Sequence, residues 1–170
     1  VPAGSDGVLF LPYLTGGTND VKEATGCFLN MTLDTDQATL WHAVLEAIGY
    51  DYMEITDLYR GAGVDMSRIT ITEGGSRSEI WNQMKSDMLG SEVITLKNAG
   101  GAVVTDCIVG AYALGHIIDM KEALTESLEI KKLYYTNAEN HDFYAKQYAL
   151  QKKLVKQDMK EAFHTLKALH

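Results

Sequence analysis

The segment RITITEGGSRSEIWNQMKSDMLG, residues 68–90, decides how the rest of this sequence is interpreted. Its first five residues alternate isoleucine with polar side chains, which is the pattern of a short buried strand. Gly74 and Gly75 interrupt that pattern, and a serine at position 76 or 78 can cap a following helix. Apolar residues at helical spacing then predict a helix from Glu79 to Gly90. The segment therefore predicts a strand, a glycine turn and a helix.

The glycine turn is a candidate binding site for a nucleotide. Glycines let the backbone approach a flat ligand, and the start of a helix presents unpaired N–H groups to it. A join of this kind is more often only a tight connection. It is not the G-x-G-x-x-G dinucleotide fingerprint, because Glu73 and Ser76 occupy glycine positions, and no Walker A Gly-Lys-Ser/Thr follows. The remainder of the sequence must distinguish a site from a connection.

Composition and charge narrow the class of protein. The 170 residues, 46% hydrophobic and 22% charged, are typical of one globular domain. Fifteen Lys and Arg against 23 Asp and Glu give a net charge of −8, which argues against nucleic acid or a membrane surface as main partner. Cys27 and Cys107 lie in apolar runs and are expected to be buried thiols of a cytoplasmic protein. The sequence contains no signal peptide and no apolar run of membrane-spanning length.

Alternating strand and helix patterns predict an α/β fold, with helices on the faces of a sheet. Residues 134–140 are expected to form a loop. Strands are expected at 7–13, 26–32, 68–72 and 92–96, and helices from a cap at 34–36 to about 60, then at 79–90, 99–115, 120–128 and 141–170.

Two of these helices carry rows of apolar residues, and Trp81 on a third is expected to fill the core. The five histidines are scattered without metal-ligand spacing and are expected on helix surfaces or ends, and Asp106 is expected at a helix surface or in a hydrogen-bonded structural role. The first row comprises Leu40, Trp41, Val44, Ile48, Tyr52, Ile55 and Tyr59, and the second, expected to be buried, comprises Tyr144, Tyr148, Val155, Met159, Ala162, Leu166 and Leu169.

Four segments together resemble the C-terminal half of FGGY-family carbohydrate kinases, with the xylulokinase branch the nearest likeness. They are GVLFLPYLTG (7–16), GCFLNMTLDTDQATLWHAVLEAIGY (26–50), ITEGGSRSEIWNQMKSDMLG (71–90) and GAVVTDCIVGAYALG (101–115). The resemblance implies an actin/hexokinase/Hsp70-type (ribonuclease H-like) ATPase domain. Such a domain has a mixed sheet, flanking helices and a long C-terminal helix. Residues 1–170 would be the C-terminal, ATP-binding domain of a two-domain sugar kinase, with the N-terminal domain upstream of Val1.

The resemblance also implies a site and a substrate. MgATP and a ketopentose such as xylulose would meet in a cleft between the two domains. The catalytic aspartate would lie upstream of Val1, so no catalytic residue or metal ligand is assigned within this chain, which alone should bind nucleotide weakly. The intact protein would contain its own N-terminal domain and could be a homodimer. The adenosine loop would comprise Gly74, Gly75, Ser76 and Ser78, with Glu79 and Asn82 as candidate polar contacts.

The sequence departs from the family pattern at several positions. Asn30 occupies a position where glycine is usual, as do Glu73 in the adenosine loop and Thr105 in the connecting helix at 101–115. The segment TGGTN at 15–19 replaces the common Ser-Gly-Glu-Arg-Thr-Pro. These differences bear on the identity of the sugar and on the geometry of the loop.

Three alternatives remain open at this point. The chain could belong to a kinase for another ketose, polyol or sugar acid. It could belong to a catalytically silent relative that uses nucleotide only to change conformation. It could also be an independent small-molecule or dinucleotide-binding α/β domain, which predicts a central parallel sheet with its ligand at the carboxyl edge. A hydrophobic strip left bare by an absent N-terminal half is expected to favour dimerisation or aggregation.

Overall fold

A computed structural model of the protein describes residues 1–17, 21–72, 74–97 and 101–169. The five strands are β1 (Leu9–Leu11), β2 (Cys27–Leu29), β3 (Arg68–Ile71), β4 (Glu92–Leu96) and β5 (Ile130–Tyr134). The six α-helices are α1 (Gln37–Gly61), α2 (Glu79–Leu89), α3 (Gly101–Ala113), α4 (Met120–Ser127), α5 (Ala138–Lys153) and α6 (Lys160–Ala168).

The central sheet is mixed and has three strands. β3 runs parallel to β4, with Ile69 opposite Val93, and β4 runs antiparallel to β5, with Ile94 opposite Leu133. β1 and β2 form a separate antiparallel pair. The predicted mixed α/β architecture is confirmed, and the purely parallel sheet of the dinucleotide-binding alternative is excluded for these strands.

The strand β5 was not predicted. Its sequence, IKKLY, places two lysines in the middle of the strand, and the first three of its residues are exposed. Charged side chains are usual on a strand at the edge of a sheet, where they discourage pairing with other molecules. Such a strand has neither the apolar run nor the alternation by which strands are recognised in sequence.

The main core lies where α1, α2 and α5 meet. α1 approaches α2 closely at Gly49, where an added Cβ would lie 2.2 Å from the sulfur of Met88. Trp81 is buried in this core, as predicted. The cluster comprises Tyr50, Met53, Trp81, Met84, Met88, Leu89, Tyr144 and Tyr148.

The apolar row predicted on α1 does not face this core. Trp41 is 63% exposed and Tyr59 is 52% exposed, while the buried side of the helix carries Ala43, Glu46 and Tyr50. Gly49 lies where α1 contacts Met88 of α2, and five of the seven residues of the predicted row lie on the exposed side of the helix. α1 therefore presents an unusually apolar outer surface.

The predicted single C-terminal helix is divided in two. α5 begins at Ala138, three residues earlier than expected, because the side chain of Asn137 accepts a hydrogen bond from the N–H of Asn140. A π-helical turn at Leu154–Asp158 then separates α5 from α6. The extra residue in a π turn rotates the following helix. As a result Phe163 is buried, whereas the predicted Leu166 and Leu169 are exposed.

α2 and α5 are joined through one buried carboxylate. Asp87 is 3% exposed and accepts a hydrogen bond of 2.9 Å from the N–H of Asn137 and one of 2.8 Å from the side chain of Asn140. Gln83 donates to the same carboxylate at 2.8 Å. A carboxylate at the start of a helix satisfies unpaired N–H groups and interacts favourably with the helix dipole. Asp87 therefore fixes the start of α5 on the end of α2.

Several single-residue expectations can now be compared with the structure. Asp106 lies on the surface of α3, as predicted, but Cys107 is exposed and not buried as expected, because α3 buries none of its described side chains. Asn30 has a backbone φ of 60°, in the left-handed region that glycine and asparagine tolerate best. This explains how asparagine substitutes for the usual glycine there. Glu73 lies outside the described residues.

Two further expectations concern histidines and the membrane. His42 is half-buried next to Glu46, with their side chains 3.4 Å apart, and not freely exposed on a helix surface. His164 lies on the surface of α6 and pairs with Glu23 at 2.9 Å. Among the described helices, none is long and apolar enough to cross a lipid bilayer.

Candidate functional site

The predicted glycine turn lies at the carboxyl end of β3, directly before α2. Gly74, Gly75 and Ser76 form a single 3-10 turn, which we call the corner. The Ser78 hydroxyl caps α2 by accepting a hydrogen bond of 3.3 Å from the N–H of Trp81. A Cβ added at Gly74 would meet no atom of the described residues within 4 Å, so these residues leave the outer side of the corner open.

Two side chains of α2 hold the inner side of the corner. The side-chain amide of Asn82 donates to the Ser76 carbonyl at 2.7 Å, and the ammonium group of Lys85 donates to the Gly75 carbonyl at 2.9 Å. Asn82 is 1% exposed and Lys85 is 4% exposed. Two successive carbonyls of the corner are therefore fixed from beneath, which leaves the opposite side of the backbone for a ligand.

The side-chain oxygen of Asn82 has an unused hydrogen-bonding capacity. Within the described parts of the chain, Asn82 Oδ1 is the buried side-chain acceptor that has no partner. The Asn82 amide nitrogen lies 3.4 Å from the Tyr134 hydroxyl. A buried polar atom without a partner is destabilising by about 1–3 kcal/mol, and such atoms are rare in folded proteins.

Glu79 lies on the exposed first turn of α2, close to β5. Lys132 donates a hydrogen bond of 2.8 Å to its carboxylate, and this bond lowers the pKa of Glu79. The two side chains border a groove of about 420 Å³ that also includes Tyr134 and Tyr135. This groove passes along the side of α2 that faces β5.

A second concavity opens on the other side of the corner, between α1 and β3. It has a volume of about 420 Å³, and its polar groups include threonine hydroxyls and the ammonium of Lys85. The described residues therefore do not enclose the corner. The lining residues are Tyr52, Ile55, Thr56, Tyr59, Met66, Ile69, Thr70, Ile71, Thr72, Gly75, Lys85 and Leu89.

The sequence analysis did not identify Lys85 as part of the site. Its ammonium lies 4.7 Å from the centre of the Trp81 ring, and burial lowers the pKa of Lys85 to about 8. One signal was available, because Lys85 occupies a position four residues after Trp81 and four before Leu89, on the apolar side of the predicted helix. A lysine on the apolar side of a predicted helix indicates either that its ammonium has a specific buried partner or that the buried side of the helix was predicted wrongly.

The described residues do not gather a metal site. No three His, Cys, Asp or Glu side chains among residues 1–17, 21–72, 74–97 and 101–169 lie close enough to hold an ion together.

Comparison with known proteins gives the family. The model of the C-terminal domain of the FGGY family of carbohydrate kinases matches residues 1–114. The chain belongs to the FGGY family of carbohydrate kinases. The matched range contains β1 to β4, the corner and the whole of α3. The family predicted from the four sequence segments is confirmed.

Curated relatives of this FGGY-family chain are sugar kinases. It is 30% identical to the xylulose kinase of Staphylococcus epidermidis over 156 residues, which cover 91% of this chain and 32% of the relative. It is 33% identical to the gluconokinase of Bacillus subtilis over 134 residues, which cover 75% of this chain and 25% of that protein. The chain spans about a third of the length of the curated relatives it matches.

Solved structures confirm the fold. The ligand-bound xylulose kinase of Lactobacillus acidophilus superposes with a TM-score of 0.76 at 22% identity, over 98% of this chain and 34% of that one. The xylulose kinase of Rhodospirillum rubrum gives a TM-score of 0.74 at 25% identity, over 96% of this chain and 32% of that one. The ATPase-type α/β domain implied by the sequence resemblance is the fold of this FGGY-family chain.

Proposed function

We propose that residues 1–170 form the C-terminal, nucleotide-binding domain of an ATP-dependent sugar kinase. The intact enzyme would transfer the γ-phosphoryl group of MgATP to a hydroxyl of a ketopentose, with xylulose as the first candidate. Gly74, Gly75, Ser76 and Ser78 would lie against the adenosine. The observation that carries the proposal is the corner, which is open outward at Gly74 and held inward by α2.

The corner fits the adenosine part of ATP in three respects. It lacks a Cβ at two successive positions, it is flanked by a groove on either side of α2, and it precedes a helix start whose N–H groups favour acceptors. Asn82 lies directly beneath the corner, where its buried side chain supports the Ser76 carbonyl. Glu79 stands at the rim of one groove, where a carboxylate can accept hydrogen bonds from ribose hydroxyls.

In this proposal, two domains contribute different residues to phosphoryl transfer. ATP brings the phosphoryl group, and Mg²⁺ neutralises charge on it. In this proposal the described residues bind and orient the adenosine end, and we assign no general base or metal ligand among them. The catalytic aspartate would lie in the N-terminal domain, and closure of the two domains would exclude water from the transfer site. The cytoplasm is the proposed location of this reaction.

Xylulose is favoured by the names of several relatives, and a sugar acid is the specific competitor. The chain is 33% identical to a gluconokinase and 30% identical to a xylulose kinase, although the latter match covers more of the chain. The identity of the sugar would depend on contacts made by the N-terminal domain. Activity measurements must therefore distinguish xylulose from another ketose, a polyol or a sugar acid as the substrate.

The outer surface of α1 is the proposed contact for the N-terminal domain. Tyr52, Ile55 and Tyr59 are each at least 40% exposed, and they line the cavity that borders the corner. β3 beside them pairs on one side with β4, and among the described strands it has no neighbour on the other side. A continuous apolar face next to an open strand edge is a typical docking surface. The relatives have about two-thirds of their length outside the matched region, which supports the upstream polypeptide as the occupant.

The proposed docking has a direct test. The 170-residue chain alone should bind an apolar dye and self-associate in light scattering, whereas the intact polypeptide should do neither to the same extent. Substituting Tyr52→Ser and Ile55→Ser in the isolated chain should reduce both signals. A monomeric isolated chain without dye binding would contradict the proposal. The same measurement on the intact polypeptide reports whether it is a homodimer.

The enzymatic proposal is tested on the intact polypeptide with MgATP. Release of ADP is measured with D-xylulose, L-ribulose, glycerol and D-gluconate, and xylulose should give the highest kcat/KM. A higher value with gluconate would move the substrate to a sugar acid. Binding of ATP without phosphorylation of any sugar would identify a silent relative. Absence of ATP binding in calorimetry would overturn the proposal as a whole.

A further inference from the structure

We infer that Lys85 is a positioning residue for the nucleotide: by holding the Gly75 carbonyl, it fixes the backbone on which the adenosine lies. The inference rests on the proposed function, because it concerns the geometry of the same corner. It adds Lys85 to the residues of the proposed nucleotide site, as one that lies beneath the binding surface and acts through the backbone of Gly75.

The geometry places Lys85 where it can control the corner. Its ammonium nitrogen donates to the Gly75 carbonyl at 2.9 Å from ten residues further along the chain. Asn82 holds the next carbonyl, that of Ser76, at 2.7 Å. The two donors are three residues apart, so they lie on the same side of α2. Together they fix two consecutive peptide groups of a turn that contains two glycines and would otherwise be conformationally free.

The surroundings of Lys85 make a purely structural role costly. α1 contributes Tyr52 and Tyr59 to the lining of the cavity, and the described lining residues of β3 and of the loop after it carry no charge. α2 contributes the Trp81 ring, 4.7 Å from the ammonium. Among the described residues that line the cavity, none carries a carboxylate. An apolar side chain of similar length would fill this space without the cost of burying a charge.

The ammonium at this position has a lowered affinity for its proton. Burial lowers the pKa of Lys85 to about 8, and this is the cause that dominates the shift. Below that pH the lysine makes a charge-assisted hydrogen bond, which is roughly twice as strong as a neutral one. Above it the neutral amine holds the Gly75 carbonyl less firmly. The affinity for ATP should therefore fall as the pH rises through the range of 8 to 9.

The test is a pH series of the KM for ATP in the intact kinase and three variants. Lys85→Met removes the donor and keeps an apolar chain, whereas Lys85→Arg keeps a permanent charge. Lys152→Met is the matched control, because Lys152 also lies 4.7 Å from an aromatic ring, that of Tyr148, but contacts no residue of the corner. Thermal unfolding checks that each variant is folded.

The expected result has three parts. Lys85→Met should raise the KM for ATP at pH 7 by about tenfold, the equivalent of one lost charged hydrogen bond, and change kcat by less than about twofold. The KM of the unmodified enzyme should rise between pH 7.5 and 9, and this rise should be absent in Lys85→Arg. Lys152→Met should behave as the unmodified enzyme. An unchanged KM in Lys85→Met, or the same pH profile in Lys85→Arg, would overturn the inference.

A second measurement separates this inference from the proposed function. Hydrogen exchange of the backbone amides at 74–78, without nucleotide, should be faster in Lys85→Met than in the unmodified protein. Unchanged exchange rates would show that Lys85 does not hold the backbone of the corner, even if ATP binds there. Faster exchange together with an unchanged KM would place the nucleotide elsewhere and overturn both the adenosine loop and the role of Lys85 in it.

Discussion

The carboxylate of Glu46 accepts a hydrogen bond of 2.6 Å from the backbone N–H of Gly4, which lies 42 residues earlier in the chain. The Ser5 hydroxyl donates to the other oxygen of the same carboxylate at 2.7 Å. Gly4, Ser5 and Asp6 all have positive φ angles, of 89°, 49° and 51°. Such a run is strained for residues with a side chain, so the buried carboxylate of Glu46 stabilises an otherwise unfavourable turn.

Replacing Glu46 tests this role. Glu46→Gln keeps the shape of the side chain but loses the charge, so the free energy of unfolding should decrease by about 1–3 kcal/mol. Denaturation in urea measures the change. Glu54→Gln is the control, because Glu54 is half-exposed and its lysine partners lie 3.9 and 4.0 Å away, so less than about 0.5 kcal/mol is expected. Equal effects of the two substitutions would contradict the role of Glu46.

The lowered pKa of Lys85 predicts a pH dependence of stability. The folded-state pKa is about 8, and the ordinary value is 10.5. Between these values the unfolded chain binds more protons than the folded one, so the free energy of unfolding should rise with pH. The slope from one such group is at most about 1.4 kcal/mol per pH unit. Above pH 10 the buried phenols of Tyr50 and Tyr144, whose pKa values are raised by burial, act in the opposite direction.

The contribution of Lys85 to this pH dependence is obtained as the difference between the unfolding free energies of two proteins. Unfolding free energies of the unmodified protein and of Lys85→Met are compared from pH 7 to 9.5, where the tyrosine contribution is common to both. The unmodified protein should gain stability relative to the variant as the pH rises. Parallel curves would show that the ammonium keeps its ordinary pKa.

The close contact at Gly49 predicts an effect of overpacking. In Gly49→Ala, the new Cβ would lie 2.2 Å from the sulfur of Met88, which is completely buried and has little room to move. The substitution should lower the free energy of unfolding by about 1–3 kcal/mol despite the better helix propensity of alanine. Gly110→Ala on α3 is the control, because its Cβ would meet no atom within 4 Å. That variant should be as stable as the unmodified protein or more stable by up to about 1 kcal/mol. Equal stability of the two variants in urea would exclude a tight contact between α1 and α2.

The interior position of Asn82 predicts an order of stabilities. Asn82→Ala removes the donor to the Ser76 carbonyl and should cost about 1–3 kcal/mol. Asn82→Asp loses the same donor and places a carboxylate against the Ser76 carbonyl in a nearly inaccessible position, so it should be less stable than the alanine variant at pH 7. Thermal unfolding at pH 7 and pH 4 measures both, and the aspartate variant should recover part of its loss at the lower pH. An aspartate variant as stable as the unmodified protein would contradict the burial of this side chain.

The sequence was sufficient for the unit β3, corner, α2 and β4, because each boundary carries its own signal. The Ser78 cap and Gly90, which has a φ of 59°, delimit α2 at the predicted residues. The sequence was insufficient to predict the strand β5, because its lysines resemble those of a loop or of a helix surface. The sequence also could not predict the contact between Lys85 and the Gly75 carbonyl. The direction of a side chain on α2 is known only once the positions of α1 and β3 beside the helix are known. The proposed nucleotide contacts at Gly74 to Asn82 remain a prediction.

The carboxylate of Asp87 has a consequence for motion. It binds the start of α5, while Asn82, five residues earlier on the same short helix, binds the corner. An α-helix of eleven residues is stiff over this distance, so the two attachment points must move together. A ligand that shifts the corner is therefore expected to displace the start of the arm formed by residues 138–169. A fluorophore on that arm would report nucleotide occupancy without being near the nucleotide.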